Sequence, residues 1–357
     1  MEIKVNDTVS GFLDKISALL FVKHEAFYKE YWHKLNVKIE KEYFQVLAEL
    51  KVIKKNYGEF LNFYFGSFRQ YEDVVNGNIF CVATTFFRIS DLYDEKFCDI
   101  IQILKESPDE KIRMNIAESL LYLEGQSSAD EMMYAENQEE FFLLLKKLSI
   151  TSESKWNLFE VIKQPRTYIQ SFCETLLKIN DELDKALSKL SSHKKKWIIQ
   201  LNKMEKDIPI HIIETIKGKQ YLDNCDVYMY PVLNPFTAII TKKQNVVYLG
   251  LGYSTDKFFL SQNDERVDKM INILKLLSDK SKFKILMLLK NKKLYANEIA
   301  EILQLSNATI SHHMRILAVH DLVHTVRIQN KTYYYLDEHT IYLLLNDLQL
   351  SLVINDD

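Results

Sequence analysis

The chain has 357 residues, 47% of them hydrophobic, which suits sizeable cores in about two domains. Its net charge of −3 is too mild for a protein that coats nucleic acid through charge alone. The four cysteines are widely separated with no Cys-x-x-Cys pair, which argues against zinc ribbons, iron–sulfur ligation and a disulfide framework.

The amino terminus lacks the basic start and the apolar core of a signal peptide. No apolar run approaches the roughly 18 residues that a membrane span requires. We therefore expect a cytoplasmic protein that does not contact a membrane and whose cysteines are reduced, mostly buried thiols.

Residues 1–222 are predicted to form a large helical domain. The whole chain contains only 8 Gly and 5 Pro, so few residues interrupt helices, and we expect seven to nine helices in the first 260 residues. Capping boxes begin two of them, at Ser107–Glu110 and Ser128–Glu131. Pro165 is predicted to begin a long helix that runs towards Lys206.

Aromatic residues are concentrated between Tyr57 and Tyr71, more densely than one buried stripe of a helix requires. Large core side chains are the default interpretation of such a cluster. The functional alternative is a pocket for an apolar or aromatic effector, in which tyrosine hydroxyls orient the ligand. The residues assigned to that pocket are Tyr57, Phe60, Tyr64 and Phe68.

The hydrophobic period changes to that of strands after Asp223. Strands are predicted at Cys225–Tyr230, Thr237–Ile240 and Val246–Leu249. We expect a small β-rich subdomain and a linker over residues 223–262, with the last domain at 263–357.

No catalytic constellation is recognisable in the sequence. Leu249–Gly252 lacks the third glycine and the following helix of a dinucleotide loop, and no Gly-Lys-Ser/Thr phosphate loop occurs. The basic run His193–Lys196 is typical of a solvated helix face. We therefore predict that the protein is not an enzyme and has no cofactor and no catalytic residue.

Residues 296–317 have the pattern of a helix-turn-helix. Gln304 and Leu305 form a short turn, and Ser306 is a good N-cap for the second helix. Apolar residues at intervals of four and three predict its buried face, and these are Ile310, Met314 and Leu317. The opposite face suits a DNA major groove, because short polar groups and one long cation lie there: Asn307, Ala308, Ser311, His312 and Arg315.

Two alternating runs follow, at His324–Ile328 and Thr332–Leu336, around a short polar turn. A helix-turn-helix followed directly by a hairpin is a winged helix. Arg327 on the stem and Lys331 at the tip are placed to reach flanking phosphates.

The segment Leu276–Leu336 resembles the arsenic-repressor-type (ArsR) family of winged-helix regulators. The resemblance lies in three stretches: Leu276–Leu286, matching the family's second helix; Leu305–Leu317, matching its recognition helix; and Lys331–Leu336, matching its returning wing strand. It covers only the last quarter of the chain, roughly residues 265 to 357. Together with the helices and strands predicted above for the rest of the chain, this gives a fold class that is mainly α, with a large helical amino-terminal domain and a small β-subdomain before a carboxy-terminal winged helix-turn-helix.

The chain departs from the family pattern at two kinds of position. The family often has glycine where this chain has Gln304 and Asp321, and a non-glycine residue at positive φ costs on the order of 1 kcal/mol. Metal-sensing members carry two cysteines at positions matched here by Tyr295 and Asn297, which are not usual ligands for a soft metal. We therefore predict no metal site.

A second metal site of the family begins with an Asp-x-His pair, which Asp337–His339 imitates. The partner ligands would fall near Leu350 and Val353, so Asp337 and His339 are interpreted as capping residues between the wing and the last helix. His313 is interpreted as structural and His312 as exposed.

Residues 265–340 contain 12 Lys and Arg against 8 Asp and Glu, a net +4, which leaves −7 for the rest of the chain. Apolar stripes precede and follow the motif, where similar winged-helix proteins dimerise. The residues assigned to dimerisation are Met270, Leu274, Ile341, Leu345 and Leu348. We predict a homodimer that binds a pseudo-palindromic operator in double-stranded DNA.

The function predicted is a sequence-specific transcriptional regulator, a repressor, whose amino-terminal domain senses an unknown non-metal signal such as a small-molecule effector. Its predicted DNA-binding residues are Ser306, Asn307, Thr309, Ser311, His312, Arg315, Arg327 and Lys331. Asn307, Ser311, His312 and Arg315 would read bases, whereas Thr309, Arg327 and Lys331 would hold phosphates. Two alternatives remain, a winged-helix protein-interaction module that never touches DNA and an enzyme domain fused to a regulatory head.

Overall fold

A computed structural model describes residues 1–34, 39–71, 74, 79–123, 138–235, 237–252, 270–290, 292–328, 331–337, 340–341, 344–345 and 348. The chain forms two compact units, Met1–Asp256 and Lys257–Asp357. The first is helical with one small sheet and the second is a winged helix-turn-helix, which confirms the predicted fold class. The division into three parts with boundaries at 222 and 262 stays a prediction.

The first unit is built mainly of helices that bury one face each in a common core. Its α-helices are α1 Ser10–Lys23, α2 Glu25–Lys34, α3 Lys41–Asn56, α4 Gly58–Phe65, α5 Val82–Thr85, α6 Ile89–Leu92, α7 Phe97–Glu106, α8 Asp109–Leu123, α9 Gln138–Lys147, α10 Ser152–Lys163, α11 Pro165–Lys178, α12 Asn180–Leu187, α13 Ser191–Lys203 and α14 Asp207–Lys217. These fourteen, counted over the described residues, exceed the seven to nine predicted, because several are only one or two turns long. The capping box at Ser128–Glu131 lies outside the described residues.

The single long helix predicted from Pro165 towards Lys206 is wrong. The segment forms α11, α12, a 3-10 turn at Ser188–Leu190 and α13. The breaks fall beside Asn180 and beside Ser188 and Ser191, residue types whose side chains compete for backbone groups and favour helix ends. The apolar side chains of the successive short helices are all buried in the core: Phe172, Leu176, Leu183 and Leu190.

The sheet of the first unit has the strand order β1, β2, β4, β3, with β1 Ile3–Val5, β2 Asp226–Val232, β3 Ala238–Lys243 and β4 Val246–Gly252. β1 and β2 are parallel, β2 and β4 are parallel, and β3 and β4 form an antiparallel hairpin. The three later strands were predicted to within three residues at each end, whereas β1 was not predicted. Tyr230, Val232, Leu233 and Tyr248 share one core with the helices, so the sheet and the helices are packed together.

The aromatic residues between 57 and 71 contribute to the same core. Tyr64 and Phe68 are buried, and Tyr57 and Phe60 pack against the core while partly exposed. The Phe60 ring stacks on Phe172 with centroids 6.0 Å apart, and the Tyr64 hydroxyl donates a hydrogen bond to the Tyr168 carbonyl at 2.8 Å. The packing fits the interpretation as core aromatics; an effector pocket at these positions stays a prediction.

The second unit has its own core and its own sheet. After a helical segment at 270–278 come α15 Lys280–Leu289, β5 Leu294–Tyr295, α16 Ala296–Leu303, α17 Asn307–Val319, β6 Val323–Ile328 and β7 Lys331–Leu336. The antiparallel strands have the order β5, β7, β6. The side chains at the centre of this core are Ile285, Leu289, Ile299, Ile310, Met314, Leu317 and Leu322.

None of the helices in the described ranges combines the length and the apolar character needed to cross a membrane.

His24 is a buried neutral histidine in the first unit. Its Nε2–H donates to the Phe65 carbonyl and its Nδ1 accepts from the Tyr71 hydroxyl, both at 2.7 Å. Burial lowers the pKa of His24 from its ordinary 6.5 to about 4, with smaller contributions from Lys23 and Lys54. The unfolded chain therefore binds a proton between these pH values that the folded chain does not.

We expect the free energy of unfolding to fall as the pH falls from about 6.5 towards 4, and His24 to account for about 3 kcal/mol of that loss at most. Urea denaturation at several pH values measures it. His24→Gln should reduce the dependence in this window, whereas His211→Ala, at an exposed position, should not. Equal pH dependence in wild type and His24→Gln would contradict the assignment.

Candidate nucleic-acid interface

The second helix of the motif, α17, is held by its apolar side. Ile310, Met314 and Leu317 are at most 1% exposed, as their spacing predicted. Ser306 is the N-cap, since its hydroxyl accepts a hydrogen bond from the Thr309 backbone N–H at 3.1 Å. The helix start and the orientation of the helix are therefore both fixed by interactions within the unit.

The opposite side of α17 is exposed to solvent. It carries the side chains predicted to face outward, and all are exposed: Asn307, Ala308, Ser311, His312 and Arg315. The Ser306 and Thr309 hydroxyls lie 2.8 Å apart beside the helix start. This surface presents amide, hydroxyl, imidazole and guanidinium groups on one rigid helix, which is the chemistry that reads base edges.

Both helices of the motif end in the left-handed region without glycine. Gln304 and Asp321 each have a φ of 56°. The residue after each of them donates a backbone hydrogen bond to a carbonyl five residues earlier. These bonds join Leu305 N–H to the Ala300 carbonyl and Leu322 N–H to the Leu317 carbonyl, both at 3.0 Å. These are Schellman ends, in which glycine is the preferred residue because it has no Cβ. The predicted positive φ at the two family glycine positions is confirmed.

His313 lies on the side of α17 next to the core and is half-buried. Burial lowers its pKa from 6.5, and the charge of Lys282 lowers it further. A neutral imidazole between the core and the exposed face fits the structural interpretation of His313, while the adjacent His312 is exposed.

The wing places a cation beside the start of α16. The Lys331 ammonium lies 4.4 Å from the centre of the Tyr295 ring, and Tyr295 makes an edge contact with Tyr333 at 5.6 Å. The backbone N–H of Tyr295 donates to the Glu298 carboxylate at 3.0 Å, which caps α16. On β6, Arg327 pairs with Thr332 of β7. The sequence identified Tyr295 only as a replaced metal ligand, because its contact with Lys331 depends on the pairing of β5 with β7.

Asp337 joins the wing to the last helix. Its carboxylate accepts from the Thr340 backbone N–H at 3.1 Å and lies 2.8 Å from His324 Nε2. The predicted capping role of Asp337 is confirmed, whereas His339 lies outside the described residues.

The five residues assigned to dimerisation occupy different environments. Met270 is buried in the core of the unit, and Ile341 and Leu348 pack against that core while partly exposed. Leu274 is 36% exposed and Leu345 is 60% exposed. Of the five side chains, those of Leu274 and Leu345 have the largest exposed fractions.

A helix-turn-helix with a polar exposed second helix, followed by a two-stranded wing, defines a winged helix-turn-helix domain. The model of the family "Bacterial regulatory protein, arsR family" matches residues 279–325. The chain is 37% identical over 82 residues to the arsenical resistance operon repressor of Staphylococcus aureus, covering 23% of this chain and 79% of that protein. The Staphylococcus xylosus repressor of the same name gives the same identity and coverage.

Solved structures similar to the same part of the chain have low overall TM-scores, since each covers about a quarter of this chain. One is an ArsR-like transcriptional regulator from Rhodococcus sp. RHA1, with 21% identity, 24% of this chain and 81% of that chain covered, and a TM-score of 0.23. Another is the homodimeric winged helix-turn-helix DNA-binding domain Mb0332 from Mycobacterium bovis, with 20% identity, 27% and 94% covered, and a TM-score of 0.22. By its likeness to the staphylococcal repressors, the chain belongs to the arsR family, and its carboxy-terminal part is a helix-turn-helix regulator domain.

Replacement of Gln304 by glycine should raise the free energy of unfolding of the second unit by up to about 1 kcal/mol, because the Cβ is removed from a left-handed backbone. The change is measured by urea denaturation of the full chain, with hydrogen exchange of the α16 amides as the readout for the second unit. The matched control is Gln304→Ala, which keeps the Cβ and should give no gain. An equal gain from both variants would refute backbone strain as the cause.

Proposed function

We propose that the protein is a DNA-binding transcriptional repressor that acts as a homodimer and places α17 in the major groove. The observation that carries the proposal is the exposed polar face of α17, Asn307 to Arg315, beside a wing with exposed Lys331. The family and the name of the staphylococcal relatives, operon repressors, support it. A helix of this composition, rigidly seated by its apolar side, needs no rearrangement of its own backbone to enter a groove.

The residues of the face divide into two roles. Asn307, Ser311, His312 and Arg315 project from the exposed side of α17 and are assigned to base edges, because Asn pairs with adenine and Arg with guanine. Ser306 and Thr309 lie at the helix start, where their hydroxyls and the positive end of the helix dipole favour a phosphate. Lys331 and Arg327 on the wing are assigned to flanking phosphates.

The dimer is assigned to the helical segments on either side of the motif. Leu274 and Leu345 are exposed apolar side chains in those two segments. The similar domain from Mycobacterium bovis is described as homodimeric, which supports the same arrangement here. Two copies related by a twofold axis would present two α17 helices to a pseudo-palindromic operator.

The first unit is assigned to signal sensing. It spans residues 1–256, has its own core and contains a cavity of about 230 Å³ between helices and sheet, lined in part by Tyr43, Trp197 and Leu233. Cavities between packed elements are where small ligands bind. We assign the protein no catalytic activity, in keeping with the regulators in its family.

The base-reading role predicts that Arg315→Ala weakens operator binding by about 1 to 3 kcal/mol and relaxes the preference at one base pair. Selection of bound sequences from a random DNA pool identifies the operator, and fluorescence anisotropy then measures both effects. Loss of affinity by the same factor on operator and random DNA would contradict base reading by Arg315.

The phosphate role predicts a different result for Lys331→Ala, which should weaken binding to all sequences alike and reduce the slope of log affinity against log salt by about 1. The same anisotropy titrations at several salt concentrations measure it. The control is Lys284→Ala, which removes an exposed lysine of α15 that is not among the residues assigned to DNA. An unchanged salt slope in Lys331→Ala would exclude the phosphate contact.

The dimer assignment predicts that Leu274→Glu or Leu345→Glu gives a monomer, because a charge would be buried in an apolar interface. Sedimentation velocity of the full chain measures the mass. Val319→Glu places the same charge at a 73% exposed apolar position on α17 and should leave the dimer intact. A dimer that survives both leucine substitutions would place the interface elsewhere.

A further inference from the structure

Three metal-ligating side chains meet in the first unit, away from the winged helix. Glu40 is the N-cap of α3, Glu42 lies in its first turn, and His193 lies in the first turn of α13. A carboxylate oxygen of each glutamate and a ring nitrogen of the histidine all lie within 4.8 Å of one another. Two carboxylates and an imidazole at such spacing need only small side-chain shifts to reach a common ion at about 2.0 to 2.2 Å.

The segments that carry the three residues are held in place by contacts that do not involve them. The Lys189 ammonium, just before α13, lies 3.1 Å from the Glu49 carboxylate on α3. The Tyr43 hydroxyl, one residue after Glu42, donates to the Leu233 carbonyl at 2.6 Å. Leu47 and Leu50 on α3 and Leu190 before α13 are buried in the same core. The three ligands are therefore carried by a preformed backbone.

His193 supplies an independent observation that points to a ligand. Its Nδ1 is buried and has no hydrogen-bond partner among the described residues. Buried polar atoms are normally paired. Carboxylates at a helix start also interact favourably with the helix dipole, which accounts for Glu40 and Glu42 but gives the imidazole nitrogen no partner.

The nearest half-buried cation in the sequence, Lys194, has another partner. Lys194 lies beside His193 in the sequence, but its ammonium contacts the Asp14 carboxylate at 2.5 Å, and Lys195 and Lys196 are exposed. His193 also lines the cavity described above, together with Tyr43 and Lys194. An ion bound by the three residues would thus lie at the edge of that cavity.

We propose that Glu40, Glu42 and His193 bind one divalent transition-metal cation of the zinc class. An imidazole with two carboxylates suits such ions, whereas Ca²⁺ and Mg²⁺ favour all-oxygen ligand sets. Three protein ligands leave at least one coordination position open. The site is separate from the family positions at Tyr295 and Asn297, and the sequence did not predict it, because its histidine and glutamates lie far apart in the chain. The proposal does not depend on DNA binding.

The test is a calorimetric titration of the metal-free full chain with Zn²⁺, in a Cys98→Ser background that removes an exposed thiol as a competing ligand. We expect one ion per chain, and a dissociation constant at least tenfold weaker in His193→Ala and in Glu42→Gln. The matched control is His211→Ala, which removes an exposed histidine of α14 and should bind as the parent does.

Co²⁺ provides a second readout, because its visible absorption reports nitrogen and oxygen ligation directly. The parent should give a ligand-field spectrum that His193→Ala lacks, while circular dichroism verifies that the variant is folded. The proposal is overturned if the parent binds no Zn²⁺, or if His193→Ala and Glu42→Gln bind Zn²⁺ and Co²⁺ as the parent does.

Discussion

The burial of one side of α17 is the constraint on which the regulatory domain depends. Ile310, Met314 and Leu317 are enclosed by the core of the second unit, and complete burial of such a side chain contributes roughly 1.5 to 3 kcal/mol. Because a helix has 3.6 residues per turn, fixing these three also fixes the direction of Asn307, Ser311 and Arg315. The exposed polar face is thus a geometric consequence of the apolar one, and its chemistry can change without loss of the fold.

The elements governed by local physics were predictable from the sequence. The spacing of Ile310, Met314 and Leu317 predicted the buried face, Ser306 predicted the helix start, and the missing family glycines predicted positive φ at Gln304 and Asp321. Each of these rests on residues within one helical turn or one tight turn. The strands at 226–252 were expected for a similar reason, since their period and the polar turn between β3 and β4 are local signals.

Features that join distant parts of the chain were not predictable in this way. The pairing of β1 with β2 brings together residues near 4 and near 228. A strand of three residues is too short to show a recognisable alternation of apolar and polar side chains. The proximity of Lys331 to Tyr295 and that of His193 to Glu40 and Glu42 likewise depend on tertiary packing. The one long helix expected after Pro165 is wrong because residue types that favour helix ends, Asn180, Ser188 and Ser191, occur within the segment, which forms shorter helices instead.

The contact between Lys331 and Tyr295 has a consequence for how strongly the wing could hold a nucleic acid. A lysine that points into water gives up only hydration when it meets an anion, whereas this ammonium already rests over an aromatic face. The net free energy of a contact between Lys331 and a DNA phosphate would therefore be the difference between its attraction to the phosphate and its attraction to the Tyr295 ring. The Tyr295 ring restricts the conformations of the flexible Lys331 side chain, and it also competes for the same charge, so the residue at position 295 would influence a phosphate contact proposed for Lys331 without itself contacting DNA.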